Sequence, residues 1–443
     1  MNVSIVGTGY VGLVSGVCLA EKGHKVICVD IDQAKVEKIN KGIPPIYEPG
    51  LSELLRKNIY INLTATTDLR HAVMDTDLSL IAVETPFDGT EIDLKYVKKV
   101  AEQIGAVLKE KAGYHLVVVK STVVPGTTEN VVVPILEQAS GKKAGEDFGV
   151  GMNPEFLKEG EAIFDFMNPD RIVLGGIDER SINILNDLYG AFGNVDKVRT
   201  NSRTAELIKY ASNSLLALLI SFSNEIGNLC AAVGVDVVEA MQGVHFDRRF
   251  TPMLPSGERI FPSMLTYLVA GCGFGGSCFP KDVNALIAYG KKMGVPMNLM
   301  EAVIAVNTRQ PQKMIEMLKK HYPNLKGLKV AVLGMAFKPG TDDIRESPSI
   351  TVTKILLDEN AVVKVYDPIA RHEAEKVFGS SVDFQDELRN TIVGVSAILI
   401  MTRWQHFHEI PNLLAGRQEQ PLVIDGRRML DKKSVLRYEG IGL

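Results

Sequence analysis

The residues best suited to chemistry fall in one segment, GFGGSCFPKD at 273–282. Three glycines, Gly273, Gly275 and Gly276, precede Cys278 and leave room for a ligand or a second backbone to come close. Lys281 and Asp282 follow within reach of the thiol. A neighbouring cation lowers a thiol pKa and raises the share of nucleophilic thiolate. The spacing fits a reactive cysteine, and equally a buried cysteine in a glycine-rich loop. Cys18, Cys28, Cys230 and Cys272 are scattered with no CxxC pair, so neither a zinc site nor a disulfide framework is expected. Cys18 and Cys28 sit in apolar patterns and read as small buried hydrophobes.

A second chemical signal is GTGYVG at residues 7–12. It follows an apolar strand pattern and opens a helical one, and Asp30 ends the next strand pattern. Gly7 permits the tight turn, Gly9 lets a backbone approach a pyrophosphate, and Gly12 allows close helix–strand packing. The helix N-terminus supplies free N–H groups and partial positive charge to the phosphates. A carboxylate at Asp30 accepts both ribose hydroxyl hydrogens and repels a 2′-phosphate, which favours NAD; nearby Lys35 softens the argument against NADP. Lys209 and Asn213 are spaced i,i+4 and so share one helix face, where a lysine is ordinarily a solvated surface residue.

These groups need a scaffold, and the apolar periodicity supplies one. Strands are expected at 3–7, 25–30, 78–83, 115–120, 148–152 and 171–175, with helices at 10–22, 33–41, 94–110 and 128–139. Such alternation predicts a parallel sheet with helices on both faces. From Arg203 about 30 residues of helical pattern run without proline, enough for about 45 Å. The strand–turn–helix pattern restarts near Gly327, with strands at 329–334, 362–368, 396–402 and 421–426 and a helix at 348–359.

The 443 residues are 46% hydrophobic and 23% charged, which excludes a largely disordered chain. A net charge of −4 excludes a nucleic-acid binder that works by bulk positive charge, and leaves an anionic substrate to a few local cations. The first residues run straight into a strand pattern with no basic leader, and Asn224 and Glu225 interrupt the longest apolar stretch, 215–233. The expectation is a soluble cytoplasmic protein without a membrane span.

The motifs VGTGYVG (6–12), STVVPGTT (121–128), NPEFLKEG (153–160), PDRIVLGG (169–176), AELIKYASN (205–213), GFGGSCFPKD (273–282), GMAFKPGTDDIRESPS (334–349), VYDP (365–368) and DGRR (425–428) occur together in this order. In this the chain resembles the nucleotide-sugar dehydrogenases, the UDP-glucose/GDP-mannose dehydrogenase family, over nearly its whole length. The resemblance implies an α/β fold of two Rossmann-like doubly wound domains joined by a long central helix. It divides the chain into an NAD-binding domain at 1–202, a central helical and dimerisation region with the cysteine loop at 203–310, and a UDP-binding domain at 311–443. The active site would lie between the α/β domains.

The implied reaction is a four-electron oxidation with NAD. The C6 alcohol of UDP-glucose becomes an aldehyde, Cys278 traps it as a thiohemiacetal, a second oxidation gives a thioester, and hydrolysis yields UDP-glucuronate. By resemblance, Lys209 and Asn213 stabilise charge on the reacting oxygen, Asp282 positions or activates water, and Glu155 is the base for hydrolysis. Thr122 holds water or the nicotinamide. The cofactor set is Gly7, Gly9, Tyr10, Val11, Gly12, Asp30, Lys35, Thr85, Thr122 and Glu159, with Arg345 approaching from the second α/β domain. Lys338, Arg427 and Arg249 are the cations for the sugar diphosphate, Arg249 reaching toward a neighbouring subunit. Phe156, Leu157, Tyr267, Phe274 and Gly275 contact the sugar or uracil, although a plain packing role suits the four side chains almost as well. Glu155, Lys209 and Asn213 also touch substrate. No metal is implied, and a homodimer or higher homo-oligomer is.

Ser277 stands where relatives acting on N-acetylated hexosamine nucleotides carry histidine, which argues for an unmodified glucose-type sugar. Two departures stand out: Glu84 precedes Thr85 where a small or neutral residue is usual, which would alter the cofactor pocket, and the run from Arg249 to Cys278, which borders the sugar site, is longer than usual. The longer run motivates an alternative, a sister dehydrogenase acting on GDP-mannose or a UDP-hexosamine. A two-electron hydroxy-acid dehydrogenase would share the dinucleotide turn and a helix-borne lysine but needs no cysteine.

Overall fold

The computed structural model describes every residue from Met1 to Leu443. By compactness the chain divides into two units, Met1–Ser212 and Asn213–Leu443. The first holds an eight-stranded sheet of β1 (Asn2–Val6), β2 (Lys25–Val29), β3 (Leu63–Thr66), β4 (Leu78–Ile81), β5 (Leu116–Val119), β6 (Gly149–Met152), β7 (Arg171–Gly176) and β8 (Asp196–Asn201). Their order is β3-β2-β1-β4-β5-β6-β7-β8. The strand sequences explain the layering. LSLI and LVVV of β4 and β5 are buried along their whole length, as parallel strands covered on both faces must be. Successive side chains serve opposite cores: Ile5, Leu80 and Val118 one, Val6, Ile81 and Val119 the other.

The sheet departs from the expected all-parallel arrangement at one seam. β7 runs antiparallel to β6, Gly151 facing Gly176. The connection between them carries only the six-residue helix Ala162–Met167, not a full crossover helix, and the chain turns back beside its own strand. The polar edge strand β8, DKVRTN, was not foreseen, because it lacks an apolar alternation to mark it. The helix expected at 128–139 begins instead as a π-turn, Thr128–Val132, before the α-helix Val133–Ser140. Pro134 there has no N–H to donate one turn back.

The second unit holds a six-stranded sheet of β9 (Lys329–Leu333), β10 (Val362–Tyr366), β11 (Asp383–Phe384), β12 (Ala397–Ile400), β13 (Leu422–Asp425) and β14 (Tyr438–Gly440). The order β11-β10-β9-β12-β13-β14 is parallel throughout. Both sheets therefore show the doubly wound, Rossmann-like layering expected from the sequence.

One continuous helix, Ser202–Val233, spans about 48 Å and crosses the unit boundary. By length and composition it could cross a membrane. Its buried residues, however, include Glu206, Lys209, Asn213 and Asn224, while Leu207, Leu215, Phe222 and Leu229 are exposed. Such a distribution presents polar groups inward to protein partners, and two of them would be costly in lipid. Glu206 shows the use made of this. Its carboxylate accepts the Gly126 N–H, the Thr128 N–H at 2.7 Å and the Thr128 hydroxyl at 2.6 Å, which seats the loop after β5. Burial outweighs these bonds and pushes its pKa up to about 7.

Candidate active site

The dinucleotide turn comes first along the chain. Gly7 has φ +103°, and a Cβ there would lie 2.6 Å from the Ala82 carbonyl oxygen. A Cβ at Gly12 would lie 1.9 Å from the Gly7 carbonyl oxygen, so this turn closes only on glycine. At Gly9 a Cβ would meet nothing within 4 Å, which leaves open space beside the backbone. The helix that follows, Tyr10–Glu21, has no side-chain cap and no acid in its first turn. Its leading N–H groups are of the kind that can bind an anion. Asp30 ends β2 and accepts the Thr8 N–H at 2.9 Å, the Thr8 hydroxyl at 2.6 Å and the Asp32 N–H at 3.0 Å. Burial works to raise its pKa, but these bonds and the Lys35 charge outweigh it and keep the carboxylate ionised. The turn, the open face and the ionised acid fit NAD.

The loops after β4 and β5 meet at the same sheet edge: the Thr85 hydroxyl donates to the Thr122 carbonyl at 2.8 Å. Glu84 beside it is exposed. Tyr10 donates to the Glu48 carboxylate, which also accepts the Gly160 and Ala162 N–H groups at 2.7 Å each. Burial first, then the Glu48 carboxylate, drives the Tyr10 pKa far above its usual value. Glu48 thus ties the glycine turn to the loop that carries Glu155 and half-buried Glu159. Sequence reading missed Glu48, since an acid in a YEPG turn carries no local sign of a partner 112 residues away.

Glu155 and Lys209 form a buried ion pair at 2.8 Å, their side chains 8% and 4% exposed. Glu155 also accepts the Leu157 N–H at 2.7 Å. Burial raises the Glu155 pKa, but Lys209, the Leu157 N–H and the Lys120 charge together bring it below the usual carboxylate value. Phe156 carries the Arg171 guanidinium 3.9 Å above its ring centroid, with the Lys209 ammonium 5.5 Å from it. Arg171, also missed, fixes Phe156 and hydrogen-bonds Ser212 at 3.1 Å.

In the second unit Cys278 sits at the N-cap of the helix Phe279–Lys292, with proline in the first turn. A helix N-terminus favours thiolate. The Ser277 hydroxyl lies 3.6 Å from its sulfur. Asp282 bridges the Asn213 amide at 2.7 Å and the Lys281 ammonium at 2.6 Å. Lys209 and Asn213, one turn apart on the long helix, therefore each engage a buried carboxylate. The glycines before Cys278 serve a close approach. Gly273 and Gly276 have φ +103° and +82°, and a Cβ at Gly275 would lie 2.3 Å from the Glu346 carbonyl oxygen. This packs the cysteine loop on the loop that carries Lys338 and Arg345.

Arg427 reaches the same loop, donating to the Gly273 carbonyl at 3.0 Å and the Met401 carbonyl at 2.6 Å. Its Nη2 is buried with no hydrogen-bond partner. Phe274 and Tyr267 both pack on the Phe279 ring, at 5.9 and 6.3 Å. Lys338 lies over Phe337, Arg345 is paired with Asp343, and Arg249 is 84% exposed and paired with Asp247. The structure brings Glu155, Phe156 and Lys209 together, and separately Asn213, Asp282, Lys281 and Cys278; Arg249 stands on the surface.

Comparison with known proteins agrees with this geometry. The NAD-binding, central and UDP-binding domains of the UDP-glucose/GDP-mannose dehydrogenase family match residues 1–193, 203–309 and 331–432. A UDP-glucose 6-dehydrogenase of Haloferax volcanii is 41% identical over the full length of both chains. One of Bacillus subtilis is 42% identical over 97% of this chain and 89% of its own. The solved UDP-glucose dehydrogenase of Pyrobaculum islandicum superposes with a TM-score of 0.89 at 40% identity, over 99% of this chain and 97% of that one. The chain belongs to the UDP-glucose/GDP-mannose dehydrogenase family. It is an NAD-dependent oxidoreductase.

The buried pair makes a direct prediction. Lys209→Met should lower the unfolding free energy at pH 7 by about 3–5 kcal/mol, since it strands a buried carboxylate. Glu155 has a depressed folded pKa, so the pair's contribution is present above the unfolded value and lost as pH falls through the folded one. Denaturant titrations should show the gap between wild type and variant closing below about pH 4. A gap that is absent at pH 7, or that does not change with acid, contradicts the assignment.

Proposed function

We propose that this chain oxidises the C6 alcohol of UDP-glucose to UDP-glucuronate through a covalent intermediate on Cys278. The observation that carries the reading is the Cys278 thiol at a helix N-terminus, followed one turn on by the Lys281–Asp282–Asn213 network. The names of the relatives above support the glucose sugar, and Ser277 agrees with it. The unpartnered Arg427 nitrogen, with Lys338, supplies positive charge for the diphosphate.

Gly7, Gly9, Gly12, Asp30, Thr85 and Thr122 would hold NAD, with Tyr10, Val11, Lys35, Glu159 and Arg345 around it. When bound, NAD accepts one hydride for each two-electron oxidation. The chain's own residues do the rest. The C6 hydroxyl gives up its proton to water as the hydride leaves, and Lys209 and Asn213 donate hydrogen bonds to the C6 oxygen as it gains charge. The Cys278 thiolate adds to the aldehyde carbon, whose oxygen takes a proton to complete the thiohemiacetal. After the second oxidation Glu155 takes a proton from water as the water attacks the thioester carbon, and the cysteine leaves as thiolate. Asp282, held by Asn213 and Lys281, orients that water. Phe156 and Leu157 in the first unit, and Tyr267, Phe274 and Gly275 in the second, would contact sugar or uracil.

The three-part division 1–202, 203–310 and 311–443 goes with this reading, and the matched family segments support it. A cytoplasmic setting suits five free thiols. The exposed Leu207, Leu215, Phe222 and Leu229, close to heptad spacing on one helix, support a homodimer through this face, and Arg249 would serve the neighbouring subunit's substrate.

Mixed with UDP-glucose and NAD, the enzyme should yield two NADH per sugar consumed, and Cys278→Ser should lose steady turnover while it still binds NAD. A yield of one, or full activity in the variant, refutes covalent four-electron oxidation. Phe222→Asp should shift the sedimenting species from dimer to single chain; an unchanged sedimentation coefficient places the interface elsewhere.

A further inference from the structure

Lys120, on the loop that follows β5, is 3% exposed. Its ammonium makes one hydrogen bond, to the Asn153 side-chain oxygen at 2.9 Å, and lies 5.8 Å from the Phe166 ring centroid. An ammonium that leaves water for a single neutral acceptor is costly to keep charged. The setting is built to keep it in place. Asn153 is anchored by its own N–H to the Val119 carbonyl at 2.9 Å and by its side-chain amide to the Val173 carbonyl at 2.8 Å. The Tyr189 hydroxyl donates to the same Asn153 oxygen at 2.5 Å. Asparagine cannot take the proton, so this partner fixes position without neutralising charge.

The position has a use. Lys120 and Glu155 line one cleft, and Glu155 is the anion that favours the charged form of Lys120, while Lys209 opposes it. Lys158, Asp165, Asp170, Arg171 and Tyr189 line the rest of that cleft. Glu155 therefore answers to two buried lysines. One of them, Lys209, sits on the long helix beside Asn213, and in the reaction above must also serve the substrate oxygen.

We infer that Lys120 is a positioning residue that holds Glu155 ionised and in place while Lys209 turns to the substrate oxygen, a second ammonium beside the Glu155–Lys209 pair. The inference rests on the oxidation proposed above. It makes the division of labour explicit: Lys209 contacts substrate, and Lys120 acts through Glu155. Burial, with help from the Lys209 charge, lowers the Lys120 pKa to about 8. Raising the pH through that value removes the proton and with it the attraction on Glu155. The hydrolytic half-reaction should therefore weaken above about pH 8.

The test uses Lys120→Met and Lys120→Arg in the full-length enzyme, with NAD binding as the check on folding. At pH 7 Lys120→Met should form UDP-glucuronate at least about tenfold more slowly than wild type, and should lose the alkaline limb near pH 8. Lys120→Arg, charged at every pH used, should recover most of the rate and also lack that limb. A readout free of turnover accompanies this: in protein labelled with 13C at the glutamate carboxyl carbon, the signal absent from Glu155→Gln should titrate at higher pH in Lys120→Met than in wild type. A Lys120→Met profile that matches wild type, an Arg variant as slow as Met, or an unmoved Glu155 titration overturns the inference. A wild-type enzyme that makes no UDP-glucuronate, yet shows the Glu155 shift, would instead overturn the reaction and leave the electrostatic role standing.

Discussion

A carboxylate and an ammonium meet 2.8 Å apart with almost no contact to water, and the site depends on their meeting. Neither Glu155 nor Lys209 is stable in that place as a lone charge. The pair therefore fixes the loop after β6 against the long helix Ser202–Val233. The same helix presents Asn213 one turn further on, where it holds Asp282 beside the cysteine loop. Two polar residues at i,i+4 spacing thus each engage a carboxylate, and the two carboxylates lie 127 residues apart in the sequence. The helix's buried stripe is polar at Glu206, Lys209, Asn213 and Asn224.

Backbone geometry supplies the second constraint. Close approach is demanded at Gly12, where a side chain would collide with the Gly7 carbonyl, and at Gly275, where it would collide with the Glu346 carbonyl. In one case the space lets the helix Tyr10–Glu21 start tight against the turn that precedes it. In the other it lets the cysteine loop press against the loop of Lys338 and Arg345. Both glycine clusters solve the same problem, which is to bring main chain closer to main chain than a Cβ permits.

Much of this was legible in the sequence for a physical reason. Turns such as 7–12 and 273–278 obey local rules, and parallel strands like β5 and β12 write their burial as unbroken apolar runs. The long helix showed itself by the lack of proline and by its period. What stayed hidden depends on distant partners. The polar edge strand β8 has no apolar pattern, and the reversal of β7 against β6 is set by the connection between them. Glu48 and Lys120 are a turn acid and a strand-end lysine in the sequence; only folding shows that one clasps Gly160 and Tyr10 and the other lines a cleft with Glu155. Arg249, prominent by resemblance, lies on the surface, where its guanidinium engages Asp247.

The central claim is that the carboxylate held by Lys209 frees the product from Cys278. Intact-protein and peptide mass spectrometry of Glu155→Gln, quenched in acid after addition of UDP-glucose and NAD, tests it most directly. The account predicts that the variant completes both oxidations once and then stalls, with the mass of an acyl UDP-sugar on the peptide that contains Cys278. Continued turnover with no such adduct, or an adduct on another residue, would contradict it.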